Sequence, residues 1–207
     1  TADSPMARPS ERGLEWMLRQ TLQQLADNPA LHNSQLDALL GALADWQLTD
    51  PGLPRSVLHA DLFRDNVMFE GHHLSGVIDL PIFRDNVMFD GHHLSGVIDF
   101  YNAASGWALY DVAIAVNDWC LNADASVDAK RAQALLAGYA SLRHFTPAEA
   151  RCWPDMLRVA ALRFWLSRRL AADQHAGQQG VLVKDPEHFM RVLIQHQRVA
   201  VGLPLAL

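Results

Sequence analysis

Cysteine is scarce in this chain. Cys120 and Cys152 are the only two in 207 residues, far apart and without the paired spacing of a metal site, which excludes a disulfide framework or a zinc ribbon and fits a reducing compartment, the cytoplasm. Lysine is equally scarce: Lys130 and Lys184 stand alone, and 17 Lys and Arg are outweighed by 23 Asp and Glu for a net charge of -6. No basic run is present, and a nucleic-acid backbone demands concentrated positive charge, so nucleic acid is excluded as a partner. No apolar run approaches the roughly 20 residues that cross a bilayer, and the first residues lack the basic-then-apolar pattern of a secretion signal, so no membrane association is expected. What is plentiful is apolar side chain, 50% of the chain, enough to bury a core.

Residues 1–12, with two prolines, read as a loose leading segment. From Gly13, the stripe Leu14, Met17, Leu18, Leu22 and Leu25 predicts a helix that stops near Asn28–Pro29. Ser34 with Asp37 suggests an N-cap for a second helix whose inner face is Leu36, Leu39, Leu40, Leu43 and Trp46. Asp50–Ser56 breaks the pattern. Beyond the central stretch, Tyr110–Trp119 reads as a buried helix and Asp128–Ser141 as an amphipathic one. Thr146-Pro147-Ala148-Glu149 is a strong helix start, with Pro154 expected to divide that segment from a helix over Asp155–Asp173. Pro186 opens a last helix to about Val199. The fold class is α+β, mainly helical, with a small β-hairpin sheet.

The stretch from Val57 to Tyr101 carries the chemistry. H-x-D-x-x-x-x-N, His59 to Asn66, puts an Asp and an Asn on one tight turn, and a second Asp, Asp99, closes an apolar strand. Phosphoryl transfer needs positioning and charge neutralisation more than covalent help. Asp61 would accept the proton of an attacking hydroxyl, while the oxygens of Asn66 and Asp99 suit Mg²⁺, a hard ion with an octahedral preference for oxygen. A turn or cap role is the bland alternative for Asp61.

Within this stretch Phe63–Asp79 recurs as Phe83–Asp99 with one change, Glu70 against Asp90. Two copies fall short of the three or more repeats that a solenoid needs, so a local tandem duplication is the better account. Three metal pairs are then open: Asn66 with Asp79, Asn86 with Asp99, or Asn66 with Asp99. The third leaves both catalytic flanks undisturbed and places the surplus at the hairpin tip, roughly residues 71–90. Lengthening that loop from about 4 to about 24 residues costs only about 1.5 kcal/mol of closure entropy. His72-His73 and His92-His93 point to opposite faces if they lie on strands, which favours polar turn residues over zinc ligands.

His59–Asn66 together with I-D-F-Y-N-A-A-S-G-W-A-L-Y-D-V-A-I-A-V-N-D-W, and R-V-A-A-L-R-F-W-L-S-R near Arg163, resemble the small-molecule kinases of the aminoglycoside phosphotransferase and choline kinase type, and within them the homoserine kinases of bacterial threonine synthesis. The resemblance covers nearly the whole chain. It implies a protein-kinase-like C-terminal lobe over residues 13–207 and ATP and Mg²⁺ as cofactors. The γ-phosphoryl group would pass to the hydroxyl of L-homoserine, with choline, an aminoglycoside or another small alcohol as alternative acceptors. Phe63, where protein kinases carry Lys, points to a small acceptor. The resemblance also makes His59 a shaper of the catalytic loop and Asp111 the anchor beneath it. Asp118 and Trp119 stand where acceptor-binding residues do; a carboxylate there would hold the ammonium of homoserine, and a satisfied buried Asp is the alternative. Arg163 and Arg168 are candidates for the substrate carboxylate, although five positions put them about 140° apart on a helix. The glycine-rich loop and strand lysine of such kinases do not precede His59. The N-terminal lobe is therefore expected to be absent and the lobe alone weakly active or inactive, a non-catalytic remnant being the reading from a different class.

Overall fold

The Leu14 stripe does form a helix, α1 (Leu14–Asp27). The computed structural model describes residues 10–61, 87–90, 93–97, 102–175, 184–196 and 201–205. Leu22, expected inside, is 58% exposed, and Thr21 turns inward in its place, its hydroxyl donating to the Met17 carbonyl at 2.7 Å. A short 3-10 turn, Pro29–Leu31, leads to α2 (Ser34–Leu48). The cap of α2 is Asn33 and not Ser34: the Asn33 side-chain oxygen accepts from the Leu36 N–H at 2.9 Å, and Ser34 is already the first helical residue. Leu36, Leu39 and Leu43 are fully buried, as their spacing requires.

In the turn that follows, Gly52 takes φ +69°, a left-handed conformation that glycine adopts without steric cost, and its N–H donates to Asp50. Strand β1 (Arg55–Leu58) then pairs antiparallel with β4 (Ala104–Trp107), Leu58 opposite Ala104 and Arg55 opposite Trp107. Strand β4 runs straight into α3 (Ala108–Trp119), and the Ala108 N–H donates to the Pro54 carbonyl, pinning the start of α3 beside the start of β1. Trp46 meets Trp107 edge-on at 5.5 Å and ties α2 to this sheet.

A second two-stranded sheet pairs β2 (Val87–Asp90) with β3 (His93–Val97), with an irregularity between Met88 and Phe89. Both strands belong to the second copy of the duplicated segment. The first copy, and with it the threading of the surplus, lies outside the described residues. The two strands are two residues apart, a separation that closes at little entropic cost.

Helix α4 (Ala129–Ala140) is capped by Asp128, which accepts from the Arg131 N–H. Helix α5 (Pro147–Gln174) carries the expected capping box between Thr146 and Glu149. It runs unbroken for 28 residues, Pro154 included. A proline inside a helix costs about 3 kcal/mol, and the wholly buried Trp153, Met156, Leu157, Leu162 and Trp165 offset that cost by keeping one helix against α3. Helix α6 (Glu187–Gln195) packs on α5 through Phe189 and Phe164, their rings 5.4 Å apart; the expected extension to Val199 lies outside the described residues. Trp153 also donates its indole N–H to the Val201 carbonyl, closing the chain end onto α5.

Candidate active site

The loop that leaves β1 is held by an acid from α3. One oxygen of Asp111 accepts the His59 N–H at 2.7 Å and the other the Ala60 N–H at 2.8 Å. These bonds hold Ala60 at φ +63°, a left-handed conformation that costs an alanine about 1–2 kcal/mol. Asp61 follows immediately, so its direction is set by a carboxylate in the first turn of the next helix. Burial raises the Asp111 pKa above 3.8, opposed by the two backbone bonds and by His59. His59 itself is buried, only 4% exposed.

Asp61 lines a cavity of about 220 Å³ with Arg12, Asn102, Arg163, Phe164, Ser167, Arg168 and Lys184. Among the described lining residues are four cations and one carboxylate. Arg163 is 4% exposed, with its guanidinium over the Phe164 ring at 4.2 Å. Burial lowers its pKa, while Tyr110 and Asp61 act to keep it charged. Burial likewise pushes Tyr110 up to about 12, Arg163 opposing and the Asp111 and Asp61 carboxylates adding to the rise. Arg12 donates to the Ser167 hydroxyl at 3.3 Å, and Arg168 donates to the Asp185 carbonyl at 3.2 Å with its guanidinium over the Phe189 ring.

Residues 1–80 and 82–145 match the phosphotransferase enzyme family, APH. The chain belongs to this phosphotransferase family. Its similar proteins include the homoserine kinase of Pseudomonas aeruginosa strain UCBPP-PA14, 50% identical over 202 residues that make up 98% of this chain and 57% of that protein. The homoserine kinase of Methylobacillus flagellatus is 42% identical over 184 residues, 88% of this chain and 50% of that protein. That of Janthinobacterium sp. strain Marseille is 36% identical over 193 residues, 91% and 53%. The chain spans about half the length of the curated relatives it matches.

Of the residues singled out from the sequence, this phosphotransferase chain brings together Asp61, Arg163 and Arg168, and sets His59 and Asp111 directly behind them. The 140° between the two arginines does not keep them apart, because long side chains on neighbouring flanks of α5 reach one cavity. Asp118 does not line it: it is 7% exposed and lies two helical turns beyond Asp111, and half-buried Trp119 packs against the core. Asn66 and Asp99, together with the alternatives Asp79 and Asn86, lie outside the described residues. Among the described residues no group of His, Cys, Asp and Glu is placed to hold a metal, and none of their helices is long and apolar enough to cross a membrane. Sequence reasoning missed Arg12, Asn102, Ser167 and Lys184. Lys184 carried one usable signal, its rarity; the others carried none.

Proposed function

We propose that this chain carries the acceptor side of an ATP-dependent kinase that moves a γ-phosphoryl group to the side-chain hydroxyl of L-homoserine. The observation that carries the reading is the Asp61 carboxylate held rigidly at the wall of a small cationic cavity. The homoserine kinase names of relatives up to 50% identical supply the acceptor. In this reading Asp61 orients the hydroxyl and takes its proton as the oxygen attacks the γ-phosphorus. The bond from that phosphorus to the bridging oxygen breaks, and its electron pair leaves with ADP. Asp111 is a positioning residue, since it touches the backbone of the loop and not the reactants. An oxygen-rich donor set suits a hard divalent ion, and Asn66 with Asp99 would hold Mg²⁺, which supplies charge neutralisation at the phosphates.

The test is steady-state kinetics of the full gene product with ATP and L-homoserine. Asp61→Asn should lower kcat by about 10²–10⁴-fold, the usual contribution of a positioned base, with little change in KM. No turnover of homoserine by the unaltered protein, with choline or an aminoglycoside accepted in its place, would reject the acceptor.

A further inference from the structure

Arg12 donates to Ser167 and Arg168 to the Asp185 carbonyl, whereas Arg163 donates no hydrogen bond and forms no ion pair among the described residues. Asp61 and Tyr110 act on it only through space. Yet Arg163 is 4% exposed, and it lines the cavity beside Asp61. Its guanidinium is held by packing, over the Phe164 ring at 4.2 Å. The backbone beneath it belongs to α5, unbroken over 28 residues and packed on α3 and α6. A charge taken out of water is normally paired and hydrogen-bonded, because an unmatched one is costly. A rigid fork of donors that the protein leaves unused at a cavity is built to meet an oxyanion.

In a kinase two oxyanions could meet it, the carboxylate of the acceptor and the phosphoryl group in transit. Proximity to Asp61 separates them. The acceptor hydroxyl rests on Asp61, and once the new bond forms the phosphoryl oxygens lie two bonds from that hydroxyl oxygen. The carboxylate oxygens of L-homoserine lie five bonds from it. A cation that shares the cavity with Asp61 and feels its charge is placed for the nearer anion.

We propose that Arg163 is a catalytic residue, its guanidinium N–H groups donating from α5 to the oxygens of the γ-phosphoryl group during transfer. This rests on the kinase reading above. The hydroxyl oxygen bonds to the γ-phosphorus as the bond to the bridging oxygen breaks. That electron pair leaves with ADP, the hydroxyl proton passes to Asp61, and Arg163 stays protonated throughout. Its fork matches two phosphoryl oxygens at once, and an enclosed guanidinium acts on them with little screening by water.

The test uses the full gene product with ATP and L-homoserine. Arg163→Lys keeps the enclosed charge and removes the fork, while Arg163→Gln removes both; far-UV circular dichroism checks that each is folded. At saturation kcat should fall about tenfold or more in Arg163→Lys, the scale of one charged hydrogen bond. In Arg163→Gln it should fall about 10²–10³-fold, as for a donor aimed at developing charge, with KM for homoserine within about threefold of the parent. If Arg163→Gln does not fold, Arg163→Lys decides alone. A loss expressed in KM for homoserine with kcat preserved assigns Arg163 to the acceptor carboxylate and overturns the proposal. A kcat of Arg163→Lys within about threefold of the parent also overturns it. If the unaltered protein turns over no acceptor, the kinase reading falls, and calorimetry with inorganic phosphate judges the site. Binding that weakens about tenfold or more in Arg163→Lys supports an oxyanion held by Arg163; no binding, or equal binding, overturns it.

Discussion

Asp111→Asn tests whether the acid behind the loop controls the acid in the cavity. Asn has nearly the same shape but a single acceptor oxygen, so it can keep one of the bonds from His59 (2.7 Å) and Ala60 (2.8 Å) and must turn its NH2 toward the other N–H. A hydrogen bond to a charged group contributes about 1.5–3 kcal/mol, and a buried donor left unpaired costs about 1–3 kcal/mol. Together they give an expected loss of about 2.5–6 kcal/mol. Part of it returns when Ala60 relaxes from φ +63°. That relaxation also moves Asp61, and a displacement of about 1 Å costs about 10²-fold in rate. Activity should therefore fall further than stability. The pH dependence has a definite sign. Between 3.8 and the raised native pKa of Asp111 the folded protein keeps a proton that the unfolded chain has lost, so this group's contribution to stability falls as pH rises through that window. The variant lacks that slope. Urea unfolding followed by far-UV circular dichroism at several pH values, with kcat at saturating substrate, measures both effects. A variant within about 0.5 kcal/mol of the parent, with kcat within about threefold, would refute the anchoring role.

Three further outcomes follow from other parts of the fold. The side-chain oxygen of Asn117 accepts from His196 Nε2 at 2.6 Å while its NH2 donates to the Leu157 carbonyl, and burial, aided by Arg158, lowers the His196 pKa from 6.5 to about 4. The unfolded chain takes a proton first as pH falls from 6.5 toward about 4, so about 3 kcal/mol of stability present above 6.5 is lost across that range; His196→Gln, which keeps a donor, should flatten this acid slope in urea titrations. Glu149 is wholly buried and accepts from Arg143 at 2.6 Å and from the Thr146 N–H at 2.8 Å. Glu149→Ala orphans both donors and should cost about 3 kcal/mol by thermal unfolding. A Cβ on Gly106 would stand 2.5 Å from Leu58 Cδ1; Gly106→Ala should cost about 1–3 kcal/mol as Leu58 is forced aside, and because Leu58 directly precedes His59, kcat should drop with it.

The helices were legible because their buried residues recur within a few positions, so Leu36, Leu39 and Leu43 or the Thr146 capping box announce themselves locally. Pro154 misleads for the same reason. A local rule breaks the helix there, and only the packing of Trp153, Met156 and Leu157 against α3, invisible in a window of residues, keeps it whole. Asp61 and Asp111 were legible only through a known motif, since nothing in spacing links an acid to backbone donors 51 and 52 residues earlier. Of the cationic wall, Arg163 and Arg168 were singled out through the resemblance, whereas the convergence of Arg12 and Lys184 with them was not legible. Its members come from the segment before α1, from α5 and from the segment before α6, and periodicity places a side chain on a face without saying which distant face will meet it. The two halves of the site thus follow from different physics. The loop is shaped by short, directional hydrogen bonds to one carboxylate, while the cavity is charged by long side chains whose convergence depends on the whole helical core, so a core substitution in α5 should disturb acceptor KM before it disturbs the geometry of Asp61.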